Sequence, residues 1–124
     1  MSPVKLHQLM VIALVRKFNE DGFTLKGATY FRDIELPPKL GRHSPDILAI
    51  DPDGTYHIAE AKLEENLFTQ KSLEQFTDFL STKSPSGKPS QLHIIVLAQV
   101  EDKLKELLSK WNLADNENIH IWTY

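Results

Sequence analysis

Cysteine is absent from all 124 residues, which removes disulfide scaffolds, thiol nucleophiles and thiolate zinc sites at once and agrees with a cytoplasmic protein. No apolar run is long enough to cross a bilayer. The stretch from Leu9 to Val15 is broken by Arg16 and Lys17 and lacks a small-residue cleavage site, so neither export nor membrane insertion is expected. Excess positive charge is missing too. A net charge of −3 speaks against a strongly basic binder that holds nucleic acid mainly by neutralising phosphates. No Gly-rich phosphate cradle, Gly-X-Ser-X-Gly elbow or serine–histidine pairing stands out, which leaves NTPase and acyl-hydrolase readings without support. No two histidines have a useful metal-ligand spacing.

What is present is the composition of an ordinary soluble domain, 41% apolar and 25% charged, which sets it apart from a disordered segment. Residues 1–124 read as a single domain, too short to join a catalytic unit to a separate recognition unit, so target selection would fall to a partner. Leu6, Leu9, Met10, Ala13, Leu14 and Phe18 predict an amphipathic helix from about Pro3 to Glu20, ended by Asp21-Gly22. Phe23 to Leu36 reads as one long or bent strand closed by Pro37-Pro38, and Lys39 to Ser44 as a basic loop. Strands near Asp46–Ile50 and Thr55–Leu63 follow. A helix from about Thr69 to Thr82 turns Leu73, Phe76, Phe79 and Leu80 to the core, and Ser81 to Ser90 has the composition of a flexible loop. Leu92 to Ala98 is nearly all apolar, as in a strand covered on both faces; Leu104, Leu107, Leu108 and Trp111 mark a last helix and Ile119 to Trp122 a final strand. The predicted class is α/β with a mixed sheet between helices, in the order α-β-β-β-α-β followed by an extra helix and strand.

The hairpin carries the chemistry. Pro52 has its φ fixed near −65°, which rules out the two-residue primed turns, so Asp51-Pro52-Asp53-Gly54 predicts a three-residue loop with Gly54 in the left-handed region. Asp51 then faces Thr55, paired positions sum to 106, and Asp46 falls opposite Glu60. A slip of one residue would send the two acids to opposite sides of the sheet. In register, their Cβ atoms lie roughly 4.5–5.5 Å apart, close enough to share a cation and repulsive without one. Lys62 follows on the same face, about 6.5 Å further along at ~3.3 Å per residue. Leu48, Ile50, Tyr56 and Ile58 make that face apolar, where two acids and a lysine are costly unless paired or metal-bound.

Pro45-Asp46 followed by Glu60-Ala61-Lys62, on the second and third strands of an αβββαβ order, resembles the PD-(D/E)XK nuclease superfamily. This is the restriction-endonuclease-like fold, which includes the archaeal Holliday junction resolvases; the resemblance spans roughly Leu6 to Ala98. It implies that Asp46, Glu60 and the backbone carbonyl of Ala61 hold Mg²⁺, for which Mn²⁺ can substitute, and that Lys62 orients or helps deprotonate the attacking water. It implies DNA as substrate and a homodimer or a subunit of a larger complex. Gln75, with Phe79 four positions on, matches a glutamine that recurs on the helix after the motif. One departure stands out. The family's extra glutamate in the middle of the first helix is missing: Gln8 is there instead, with Glu20 or Glu35 as substitutes, or the site is degenerate.

Blander readings compete at each position. Asp46 and Glu60 could be surface acids at a strand end, Lys62 a snorkelling lysine and Gln75 a helix-surface amide. Lys39, Arg42 and His43, in the basic loop, are candidates for phosphate contact, though such loop residues are more often plain surface. Tyr30, Trp111, Trp122 and Tyr124 fit a core better than a base-stacking platform, and His57 falls on the face away from Glu60. The competing functions are an inactive nuclease-like domain acting in nucleic-acid binding or assembly, and a small regulatory domain docking through its C-terminal helix and strand.

Overall fold

A computed structural model describes residues 2–124. Helix α1 spans Pro3–Glu20: the Ser2 side chain caps it by accepting from the Lys5 N–H, Pro3 occupies the first turn where a missing N–H costs nothing, and Gly22 closes it at φ +81°. Its buried stripe is Met10, Val11, Leu14, Val15 and Phe18. Strand β1 (Thr24–Ala28), β2 (Ile47–Ile50) and β3 (Tyr56–Ala61) follow, then a short helix α2 (Glu64–Leu67) and α3 (Gln70–Ser81), capped by the Thr69 hydroxyl. Strand β4 (Gln91–Val96), a 3-10 turn (Ala98–Val100), α4 (Glu101–Lys110) and β5 (Ile119–Thr123) complete the chain.

The five strands form one mixed sheet in the order β1-β2-β3-β4-β5, with antiparallel pairing up to β3 and parallel pairing from β3 to β5. The two parallel crossovers step the same way across the sheet, so right-handed connections put α3 and α4 on one face. That leaves α1 to cover the other. Side-chain alternation along the strands sorts the core accordingly. Ile47, Ala49, Ala59, Ala61 and Ile95 pack with α1, whereas Leu48, Ile58, Leu92, Ile94 and Val96 pack with Phe76, Phe79, Leu104 and Leu107. Among the described residues no helix is long and apolar enough to cross a membrane.

The hairpin has the expected loop and register. Gly54 sits at φ +83°, Asp51 and Thr55 pair through a 3.0 Å bond, and Ile47 faces Ala59. The first strand is shorter than expected. Instead of running to Leu36, β1 stops at Ala28, opposite Ile47 where its antiparallel partner β2 begins, and the Ala28 N–H turns back to the Glu35 carbonyl. Gly27 permits this return. A Cβ there would lie 2.6 Å from the Pro37 Cα, so no other residue lets the loop fold back across the bulge in β1. The segment from Ser81 to Ser90 is more ordered than its composition suggests: Lys83 and Pro89 form a bridge, and the Lys88 ammonium donates to the Asp53 carbonyl of the β2–β3 loop.

Candidate functional site

Because β3 outlasts β2, the backbone N–H of Ala61 has no ladder partner on that side and donates to Asp46 Oδ2 at 2.9 Å. Asp46 and Glu60 are the residues next beyond the last pair, Ile47 and Ala59. The Asp46 N–H donates to the Ala59 carbonyl (3.0 Å), which ties Asp46 to β3. There a cavity of about 420 Å³ opens, lined by His7 from α1, Asp46, Glu60 and Lys62 from the hairpin, and Lys71 and Gln75 from α3.

Glu60 and Lys62 are not surface charges; 4% and 7% of their surfaces are exposed. The Lys62 ammonium donates to Gln75 Oε1 and stands 3.9 Å from Glu60 Oε2, an ion pair at the limit of its range. Burial pushes the Glu60 carboxyl well above the usual range, the Asp46 charge pushes it further, and Lys62 opposes both. Burial lowers the Lys62 ammonium, with Glu60 and Asp46 pulling it back up. Gln75 is thus no helix-surface amide: it is 5% exposed and holds the lysine.

Two further residues complete the constellation. His7 Nε2 donates to Asp46 Oδ2 at 3.0 Å, and His7 Nδ1 lies 2.6 Å from the Tyr30 hydroxyl. The bond to Asp46 raises the His7 pKa against the opposing effect of burial. Tyr30 is 43% exposed and belongs to the site's edge rather than to the core. The expected substitutes for an acid on the first helix do not take part. Gln8, Glu20 and Glu35 are absent from the cavity wall, Glu20 and Glu35 being exposed, and the position facing Asp46 is held by His7. A signal for it exists: His7 lies three residues before Met10 and seven before Leu14, a polar residue on the buried stripe of α1.

The chain matches no family model, no curated protein and no solved structure in comparisons with all three.

Two carboxyls converge on the cavity, and Glu60 is incompletely compensated: burial and the Asp46 charge outweigh the Lys62 ammonium at 3.9 Å. Among the described residues no three Asp, Glu, His or Cys side chains are grouped to hold a metal. A hard cation that keeps several waters and binds through one or two carboxylates, as Mg²⁺ does, fits such a set; the Ala61 carbonyl would add a third oxygen. The basic loop is directed elsewhere. Arg42 grips Asp78 on α3 through its backbone N–H, Nε and Nη2 at 2.8 to 3.0 Å and holds that carboxyl down at about 2, while His43 Nε2 donates to Glu74 at 3.1 Å. Lys39 is exposed.

The opposite face carries a second polar cluster. Trp122 Nε1 donates to His93 Nδ1 at 2.9 Å, which leaves the neutral His93 ring its proton on Nε2 to donate to His57 Nδ1, also at 2.9 Å. His57 Nε2 then donates to Asp51 Oδ2 at 2.9 Å. Phe18 and Phe23 pack against these rings, and His120 stacks on His93 at 4.8 Å. His57 lies where strand alternation put it, away from Glu60.

Proposed function

We propose that the chain is a metal-dependent phosphodiesterase that cleaves DNA on the PD-(D/E)XK plan. The convergence of Asp46, Glu60 and Lys62 on one cavity, through the register set by the Pro52–Gly54 loop, carries this reading. The element order from α1 to β4, an αβββαβ core interrupted only by the single turn of α2, supports the restriction-endonuclease-like assignment. Asp46, Glu60 and the Ala61 carbonyl would hold Mg²⁺, with Mn²⁺ as a substitute. When bound, the ion supplies Lewis acidity for the scissile phosphodiester.

The chain's own residues do the rest. Lys62, fixed by Gln75 and with its ammonium lowered by burial, orients the attacking water, helps take its proton and sets positive charge beside the phosphate. Lys71 adds a cation on the cavity wall for a backbone phosphate. Cleavage of plasmid and branched DNA in Mg²⁺ or Mn²⁺ tests the reading. Glu60→Ala and Lys62→Ala should abolish it, and activity indifferent to both changes removes the assignment.

One observation favours a second reading, a degenerate nuclease-like domain that binds or assembles without cutting: α1 brings a histidine where an acid would strengthen the metal site. Mn²⁺ calorimetry on the wild type and Asp46→Asn separates the two. Asp46-dependent binding supports the nuclease; its absence supports the degenerate domain.

A further inference from the structure

We propose that His7 is a positioning residue that fixes the Asp46 carboxylate for ligand binding, and that Tyr30 holds His7 in the tautomer this requires. The inference rests on the nuclease reading and adds a part to it. Asp46 Oδ2 accepts from two rigidly mounted donors, His7 Nε2 at 3.0 Å and the Ala61 N–H at 2.9 Å. No hydrogen bond among the described residues reaches Oδ1, which is therefore the oxygen left for a ligand. A ligating carboxylate is ordinarily held in this way by outer partners, and those partners decide how well it binds.

The mounting comes from outside the hairpin. His7 rides on α1, which is anchored to the sheet by Met10, Val11 and Leu14, so the imidazole approaches Asp46 from a helix 39 residues away in sequence. A carboxylate cannot donate, so the bond to Asp46 requires the proton on Nε2. In the neutral ring Nδ1 is then an acceptor, and the Tyr30 hydroxyl, 2.6 Å away, is the donor that selects this tautomer.

Tyr30 is held for the task. Its φ is +70°, a conformation that L residues other than glycine avoid and that persists where the surroundings impose it. The imposition is visible one residue earlier, where the Thr29 N–H donates to the Asp46 carbonyl at 3.0 Å. The 29–30 segment thus grips Asp46 twice, directly through its backbone and indirectly through His7.

The test uses the full chain in two measurements: Mn²⁺ affinity by titration calorimetry, and the tautomer of His7 by ¹⁵N NMR of the metal-free protein. The wild-type spectrum should show His7 protonated on Nε2. His7→Ala should weaken Mn²⁺ binding by about 10- to 100-fold, the usual effect of losing such a partner. His7→Gln, whose amide N–H can reach the same oxygen, should restore most of the affinity, and Tyr30→Phe should blur the tautomer and cost less. If His7→Ala fails to fold, the Gln and Phe variants carry the test. Affinity unchanged in His7→Ala, no rescue by Gln, or a neutral wild-type ring that carries its proton on Nδ1 overturns the proposal. A wild type that binds no Mn²⁺ is a different result: it removes the nuclease reading and this role with it.

Discussion

The two buried polar clusters share a sheet but differ in how completely they are satisfied. In the Trp122–His93–His57–Asp51 chain every ring nitrogen has a partner, the direction of each bond follows from the one before, and the chain ends on an ion. At the cavity, by contrast, Glu60 is deeply buried, the Lys62 ammonium stands 3.9 Å from it while donating to Gln75, and the Lys71 charge helps only weakly. A finished network needs nothing more and serves the fold. An unfinished one is stable only at a cost, which on the proposed function a bound cation would recover. The difference sorts the two sites without reference to any relative.

The comparison breaks most visibly in activity. Lys62→Ala should lower kcat about 10²- to 10⁴-fold, the range for a lost acid–base group, while the fold stays intact. Glu60→Gln should likewise stop cleavage, yet raise the urea midpoint of the metal-free protein at neutral pH, since a carboxyl whose pKa is raised by folding costs stability wherever the unfolded chain has lost that proton. A loss of stability in Glu60→Gln would mean that this acid is structural. The histidine cluster should answer the other way. His93→Ala orphans the buried His57 Nδ1, at about 1–3 kcal/mol, and the part-buried Trp122 N–H at less, and should leave DNA cleavage by the folded protein unchanged. Denaturant unfolding beside a cleavage assay reads both.

A smaller effect sharpens the contrast through pH. Burial, with His120 and His57 adding to it, lowers the His93 pKa to about 3, whereas the unfolded chain has it near 6.5. Between those values the unfolded state binds a proton that the folded state refuses. Stability is therefore full above about pH 6.5 and declines as pH falls toward 3, by at most about 1.4 kcal/mol per pH unit from this group. Urea midpoints at pH 7 and pH 5 should show the decline, and His93→Ala should flatten it. An equal slope in the variant would assign the acid sensitivity to other groups.

Legibility in the sequence followed the range of the determining interactions. The hairpin register was readable because Pro52 and Gly54 decide it within five residues, and through it Asp46, Glu60 and Lys62 were named together. Alternation along β3 put His57 on the far face for the same reason. The end of β1 was not readable, since it is set by the length of β2 and by the loop crossing at Gly27. His7 was missed although its place on the buried stripe of α1 marked it, because its acceptor lies on a distant strand end. His93 was out of reach in another way: the parallel register that sets it opposite Ala59 is fixed by the packing of the α3 crossover, and no local turn encodes that.

The smallest expected effect separates two cations that a sequence reading treats alike. Arg42 faces Asp78 and Glu74 and is already compensated, whereas Lys71 lines the cavity where a phosphate would sit. Each lysine or arginine that neutralises a phosphate contributes about 0.9 to the slope of log affinity against log salt on duplex DNA. Lys71→Ala should therefore reduce that slope by about 1, and Arg42→Ala should leave it where it was while loosening the loop from α3. Affinities taken at several salt concentrations in Ca²⁺, with the DNA left uncut, provide the measurement. The reverse order would move the DNA path off the cavity and onto the loop of Lys39, Arg42 and His43, and the Asp78 clamp would then be a contact that DNA binding opens.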